Sequence, residues 1–144
     1  MALEIKVVEV TDESQMEQAR AIRRAVFIEE QGVPEELELD EDDARAFHAL
    51  ALDGKTAVGC GRMVAHDGYV KIGRMAVLNE RRGEGIGRTI LAFLMARARE
   101  QGIGRALLHA QLTAEGFYLK NGYTPEGEVF EEAGIAHRRM SREL

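Results

Sequence analysis

Scarcity sets the first limits. Cys60 is the only cysteine among 144 residues, which excludes an internal disulfide and a cysteine-built zinc site. Cationic excess is missing as well. Nineteen Lys and Arg stand against 25 Asp and Glu, a formal charge of −6, so generic binding to nucleic acid or anionic membrane is not expected. No apolar run approaches the ~20 residues that cross a bilayer. The opening MALEIKVVEV lacks the basic-then-apolar layout of a secretory leader. Repeats, low-complexity tracts and linkers are absent too. The expectation is a cytoplasmic protein with a single domain over residues 1–144, at 45% apolar and 31% charged residues.

Hydrophobic periodicity orders the chain. Ile5 to Val10 reads as a strand. Thr11 or Asp12 then offers a helix cap, which Gln15 completes if Asp12 is the cap. Met16, Ala19, Arg23, Val26 and Phe27 recur at helical spacing until Gly32 and Pro34. The acidic run EELELDEDD, Glu35 to Asp43, reads as a loop or short helix. Three strand-like runs follow, Ala46–Leu52, Thr56–Ala65 and Tyr69–Leu78, separated by Asp53-Gly54 and Asp67-Gly68, so a meander is expected. An apolar-striped helix from Ile86 ends at Gly102. Ala106–Gln111 is a short strand, and Thr113 caps a last helix closed by Gly122. Tyr123–Phe130 and Ile135–Arg142 form a terminal hairpin around EEAG. The fold class is α+β, in the order β-α-(α)-β-β-β-α-β-α-β-β.

The most informative stretch is RRGEGIGR, Arg81 to Arg88, between the third strand of the meander and the striped helix. A strand, a glycine-rich turn and a helix start make an anion site. The first helical N–H groups lack intrahelical partners, the helix dipole adds positive potential, and glycine lets a phosphate approach the main chain. Arg81, Arg82 and Arg88 add charge. A diphosphate is the natural guest. The dinucleotide fingerprint fails because Arg88 stands where its third glycine belongs, and GKT at Gly54–Thr56 is no P-loop because Ala49 replaces the earlier glycine.

RRGEGIG resembles the R/Q-x-x-G-x-G/A signature of GNAT-type N-acetyltransferases, with Arg82, Gly85 and Gly87 on its fixed positions. The element order is similar to the GNAT order throughout, a mixed, mostly antiparallel central sheet flanked by helices. EGFYLKNGYTP, Glu115 to Pro125, resembles the family's late tyrosine helix. RRAVFIEEQGVPEELELDEDD and GIAHRRM resemble an ElaA-like bacterial branch.

The resemblance implies acetyl-coenzyme A as co-substrate, no metal, and a primary amine as acceptor. Its pyrophosphate would lie on the amides of Arg82, Gly83, Glu84, Gly85, Ile86, Gly87 and Arg88. Its pantetheine arm would pair with the main chain of Met75, Ala76 and Val77, provided that strand splays from Ala106–Gln111. The thioester oxygen would take an N–H near Ala76 or Val77. Tyr118 would protonate the departing thiolate. Gln111 stands near a family cofactor-contacting asparagine. Glu29, Glu30, Asp40, Glu128 and His137 are candidates for the base or the acceptor site. His137 is equally a structural histidine, and the acidic run equally a solvated surface. His48 reads as structural, and His66 and His109 show no metal-ligand spacing. Cys60 reads as a small core residue, so direct transfer without an acetyl-enzyme is expected. A non-catalytic acyl-coenzyme A sensor and a nucleotide-binding protein are the alternatives. Exposed strands near the C-terminus allow a homodimer.

Overall fold

The computed structural model describes residues 4–144. Seven strands form one sheet: β1 (Ile5–Glu9), β2 (Phe47–Asp53), β3 (Thr56–His66), β4 (Tyr69–Val77), β5 (Arg105–Gln111), β6 (Thr124–Glu132) and β7 (Ile135–Glu143). Their spatial order is β1-β2-β3-β4-β5-β7-β6. Every neighbouring pair is antiparallel except β4 and β5. The helices are α1 (Glu13–Arg23), α2 (Glu35–Glu38), α3 (Ile86–Glu100) and α4 (Glu115–Lys120).

The turns explain the meander. Gly68 at φ +85° closes β3 onto β4, and Ala133 and Gly134, both at positive φ, close β6 onto β7. The Ala133–Gly134 turn, with both central residues at positive φ, has the hand that matches the twist of its flanking strands. The β2–β3 register shifts between Ala51 and Leu52, which makes Val58 an extra residue in β3. A regular strand would put Val58 and Cys60 on one face, and the extra residue breaks that alternation. Val58 joins the α3-side core, while Cys60 joins the α1 side.

Asp12 caps α1, accepting from the Gln15 amide at 2.8 Å, and Gln15 Oε1 accepts from the Thr11 amide at 2.7 Å. Ala19, Ile22 and Val26 bury against Leu50, Cys60 and Ala76. After Arg23 the helix widens into a π turn, Arg24–Glu30, with the Gln31 amide reaching the Val26 carbonyl at 3.1 Å. Such turns cluster at functional sites because they re-aim side chains. On the opposite face α3 buries Ile86, Ile90, Leu91 and Leu94. It comes so near β3 that a Cβ on Gly59 would lie 2.9 Å from Ile90 and one on Gly61 3.0 Å from the same side chain. Thr113 does not cap α4. It sits inside a 3₁₀ turn, Leu112–Ala114, and Ala114 holds the cap position without a side-chain bond.

The acidic run is a strap of α2 and a 3₁₀ turn (Glu41–Ala44), in which Glu38, Asp40 and Asp43 turn inward to arginines while Glu35, Glu36 and Glu41 stay exposed. Arg23, on the apolar stripe of α1, grips Glu38 through two bonds of 2.5 and 2.7 Å and Asp43 at 2.8 Å. Arg62 of β3 holds Asp40 at 2.7 and 2.8 Å and Asp43 at 2.7 Å. Arg74 of β4 donates to the Glu38 carbonyl at 3.0 Å and to Asp40 at 3.2 Å. Three carboxylates thus neutralise three arginines from three elements. The Arg62 hydrogen bonds, against a smaller opposing effect of burial, hold Asp40 at about 2, below the ordinary 3.8.

Arg23 and Glu38 are 2% and 3% exposed, so Glu38→Ala strips a buried guanidinium of its bidentate partner and leaves it Asp43 alone. The expected cost is about 3–5 kcal/mol, read as a lower urea midpoint; an unchanged midpoint contradicts the strap's role. Asp40 has a depressed folded pKa, so its contribution is present above 3.8 and lost as pH falls from there towards about 2. Asp40→Asn should flatten the fall of thermal stability in that window.

Candidate functional site

β4 and β5 pair only at Val70↔Ala106, Lys71↔Leu107 and Ile72↔Leu108. Beyond them the strands part. The cause lies in β4, whose register with β3 shifts between Cys60 and Arg62. The extra residue falls beside Arg74, which sits at φ +51°. A bulge bends its strand and interrupts pairing. The expected splay is therefore present, and it opens a cleft of about 720 Å³.

The phase of the ladder decides which main-chain groups face the gap. Leu78 donates to the Val58 carbonyl at 3.0 Å, so Leu78/Val58 and Ala76/Cys60 are the closely bonded pairs. Val77, between them, turns its N–H and C=O away from β3. Its carbonyl already accepts from Arg82 Nε at 3.0 Å.

At the mouth of the gap stands the glycine loop. Gly83 and Gly85 adopt φ of +82° and +83°, conformations natural to glycine. Gly85 is the N-cap of α3, and the Thr89 amide returns to its carbonyl at 3.1 Å. From Gly83 to Arg88, six consecutive amides find no acceptor among the described residues. Gly87 lies against α4, where a Cβ would sit 3.5 Å from the Phe117 ring.

The arginines behave differently from the sequence expectation. Arg81 is paired with Asp53 at 2.9 Å and with Glu84 at 3.1 Å. Arg82 makes a bidentate pair with Glu30 at 2.6 and 2.8 Å. Both brace the loop, one to the end of β2 and one to the π turn. Arg88 is exposed and makes no ion pair with described residues. The positive character of the loop therefore comes from its amides, the helix end and Arg88.

Tyr118 is buried in α4, edge-on to Phe117 and Tyr123 with ring centroids 5.0 and 5.7 Å apart. Burial raises its pKa, so the phenol keeps its proton. It lines the cleft and makes no hydrogen bond with described residues. Of the base candidates, Glu30 is held below the usual carboxylate range by the hydrogen bonds from Arg82, and Asp40 belongs to the strap. Glu29 and Glu128 are exposed and outside the cleft lining. His137 does line the cleft, 7% exposed. Gln111 lines the cleft and donates to Gln31 Oε1 at 2.8 Å, so its amide ties β5 to the segment after the π turn. Cys60 contacts the Ala19 and Arg74 carbonyls, and burial pushes its thiol up to about 12. His48 is fixed by the Asp43 carbonyl at 2.9 Å.

Sequence reading missed His109 and Glu132, which share the cleft with His137. A signal was present. Across the two-residue turn Ala133–Gly134, Glu132 pairs with Ile135 and Phe130 with His137, which puts all four on one face.

Among the described residues there is no cluster of three metal-ligating side chains, and no helix is long and apolar enough to cross a membrane. A family model describing an acetyltransferase (GNAT) domain matches residues 9–144. The chain is similar to uncharacterized N-acetyltransferase YjcF of Bacillus subtilis (strain 168), 38% identical, covering 96% of this chain and 100% of that one. It is similar to protein ElaA of Escherichia coli (strain K12), 31% identical over 91% of this chain and 89% of that one. The crystal structure of Escherichia coli ElaA superimposes with a TM-score of 0.84, at 29% identity over 99% and 100% of the chains. A GNAT family acetyltransferase from Elizabethkingia anophelis, solved with acetyl-CoA bound, shares the fold at a TM-score of 0.77 and 18% identity over 97% and 98% of the chains.

Proposed function

This chain belongs to the GNAT acetyltransferase family, and from that premise we propose that it moves an acetyl group from acetyl-coenzyme A to a primary amine, in a small molecule or an exposed amino group, by direct attack. The observation that carries the reading is the run of six unpartnered amides, Gly83 to Arg88, at the mouth of the β4–β5 gap. Unsatisfied N–H groups at a helix start suit a diphosphate, and a parted strand pair suits an amide-bearing arm.

Arg82, Gly83, Glu84, Gly85, Ile86, Gly87 and Arg88 would hold the pyrophosphate. Met75, Ala76 and Val77 would face the pantetheine arm. Of these, Val77 presents its N–H to the gap by the ladder phase. That N–H is the donor for the thioester oxygen as it gains charge, a contact worth about 3 kcal/mol in comparable sites.

The acceptor must lose a proton before it attacks, because an alkylamine is almost wholly protonated at neutral pH. Once neutral, its nitrogen bonds to the thioester carbon, and the C–S bond then breaks with its electron pair on sulfur. Tyr118 donates the proton that makes the free thiol. Burial keeps that proton in place at every physiological pH. An acetyl-enzyme is not called for, since the buried Cys60 thiol stays protonated and outside the cleft lining.

Coenzyme A should raise the melting temperature, and Gly85→Asp should abolish that protection by setting a carboxylate among the amides. Gly85→Asn carries the same backbone strain without the charge, and should retain part of it. Equal protection of both variants and the parent contradicts the loop assignment. Tyr118→Phe should lower kcat about 10²-fold while leaving melting temperature and acetyl-coenzyme A KM unchanged. Coenzyme A binding without turnover across a panel of amines would instead identify a sensor.

A further inference from the structure

The cleft ends beyond the β4–β5 gap on a floor of two histidines and a carboxylate. His137 Nδ1 lies 2.7 Å from the Ile135 carbonyl. A carbonyl oxygen can only accept, so Nδ1 carries the hydrogen and the neutral ring leaves Nε2 bare. Glu132 Oε2 lies 3.7 Å from Nε2, beyond hydrogen-bond length yet close enough to balance a charge on the ring. No described residue donates to Nε2. A histidine with a purely structural role, 7% exposed, would be expected to satisfy both nitrogens.

The carboxylate is itself fixed. His109 Nδ1 donates to Glu132 Oε1 at 3.1 Å, and that bond, opposed by partial burial, keeps Glu132 below the usual carboxylate range. The Lys71 charge acts in the same direction, as does a proton on either imidazole. Phe130 braces both imidazoles, stacked on His137 at 5.9 Å and edge-on to His109 at 5.0 Å. Gln111, opposite His137 in the β5–β7 ladder, is occupied by Gln31. The groups around the ring thus orient it and leave one nitrogen open.

We propose that His137 Nε2 is the general base that deprotonates the acceptor ammonium, and that Glu132, held by His109, is the positioning residue that balances the imidazolium. This rests on the acetyl-transfer reading. The proton balance closes. The ammonium yields two protons in becoming an amide nitrogen. One replaces the proton Tyr118 gives to sulfur, and the other passes through Nε2 to solvent. Glu132 stays ionised throughout and takes no proton. The acceptor class follows: an amine basic enough to arrive charged.

The test has two arms. In the first, long-range proton–nitrogen correlation of histidine-labelled protein reads the tautomer above the pH at which the rings are neutral, with His137→Gln assigning the signal. A protonated Nδ1 and bare Nε2 are expected; hydrogen on Nε2 overturns the proposal, whatever the fate of acetyl transfer. In the second, ethanolamine, charged at neutral pH, is compared with hydroxylamine, already neutral there. His137→Gln and Glu132→Gln should each lower kcat for ethanolamine about 10²-fold, with little effect on hydroxylamine or on acetyl-coenzyme A KM. Glu132→Asp should recover part of the loss. Equal losses for both amines, or none, also overturn it. Should the parent protein acetylate neither these amines nor any of the wider panel, the acetyl-transfer reading fails on its own and the tautomer alone decides the state of the ring.

Discussion

Everything in the cleft depends on β4 leaving β5. The two strands share three register pairs and then separate, and the separation exposes main-chain groups that a regular sheet would consume. Parallel neighbours do not part without cause. Here the cause is a bulge at Arg74, held at a φ that non-glycine residues rarely adopt. Its guanidinium is anchored to the Glu38 carbonyl and to Asp40. The buried pairs of Arg23 and Arg62 with Glu38, Asp40 and Asp43 fix that anchor in turn. The strap is therefore a stability device placed where the strand must bend. Removing one partner of such a network is far costlier than never having built it.

Charge at the glycine loop follows a similar economy. In the proposed reading an acidic protein needs no cationic surface to hold a diphosphate, because six amides at one helix start supply the positive edge. Arg81 and Arg82 face carboxylates and hold the loop in shape. Glu30 links that loop to the π turn, and Gln31, the next residue, reaches Gln111. The segment from the π turn to Gln31 is thus tied to both lips of the gap. A rigid frame of this kind holds reacting groups in register, which is where much catalytic advantage originates.

The strand and helix order was legible because it rests on local patterning. Ile86–Glu100 and the strands of the meander follow from periodicity and turn chemistry within a residue or two of their observed ends. The glycine loop was legible because its residue types have few other uses. The strap was half visible. Arg23 on an apolar stripe demands a buried counter-charge, and the acidic run nearby supplies it, yet which carboxylate folds inward depends on contacts 15 and 20 residues away. The π turn, the Val58 register shift and the Gln31–Gln111 bond lay beyond reach for the same reason. Each is fixed by tertiary fit, with no local signature. The partnership of Glu132 with His137 could have been counted across the hairpin, since the turn sets the register.

The central claim is that the bare helix start and the parted strands together seat one thioester carrier. A crystal structure with acetyl-coenzyme A bound tests it most directly. The account predicts diphosphate oxygens within hydrogen-bond reach of the amides between Gly83 and Arg88, the pantetheine arm lying along β4, and the thioester oxygen at the Val77 N–H. Phosphates seated elsewhere, or a gap filled by side chains with the carrier outside it, would contradict it.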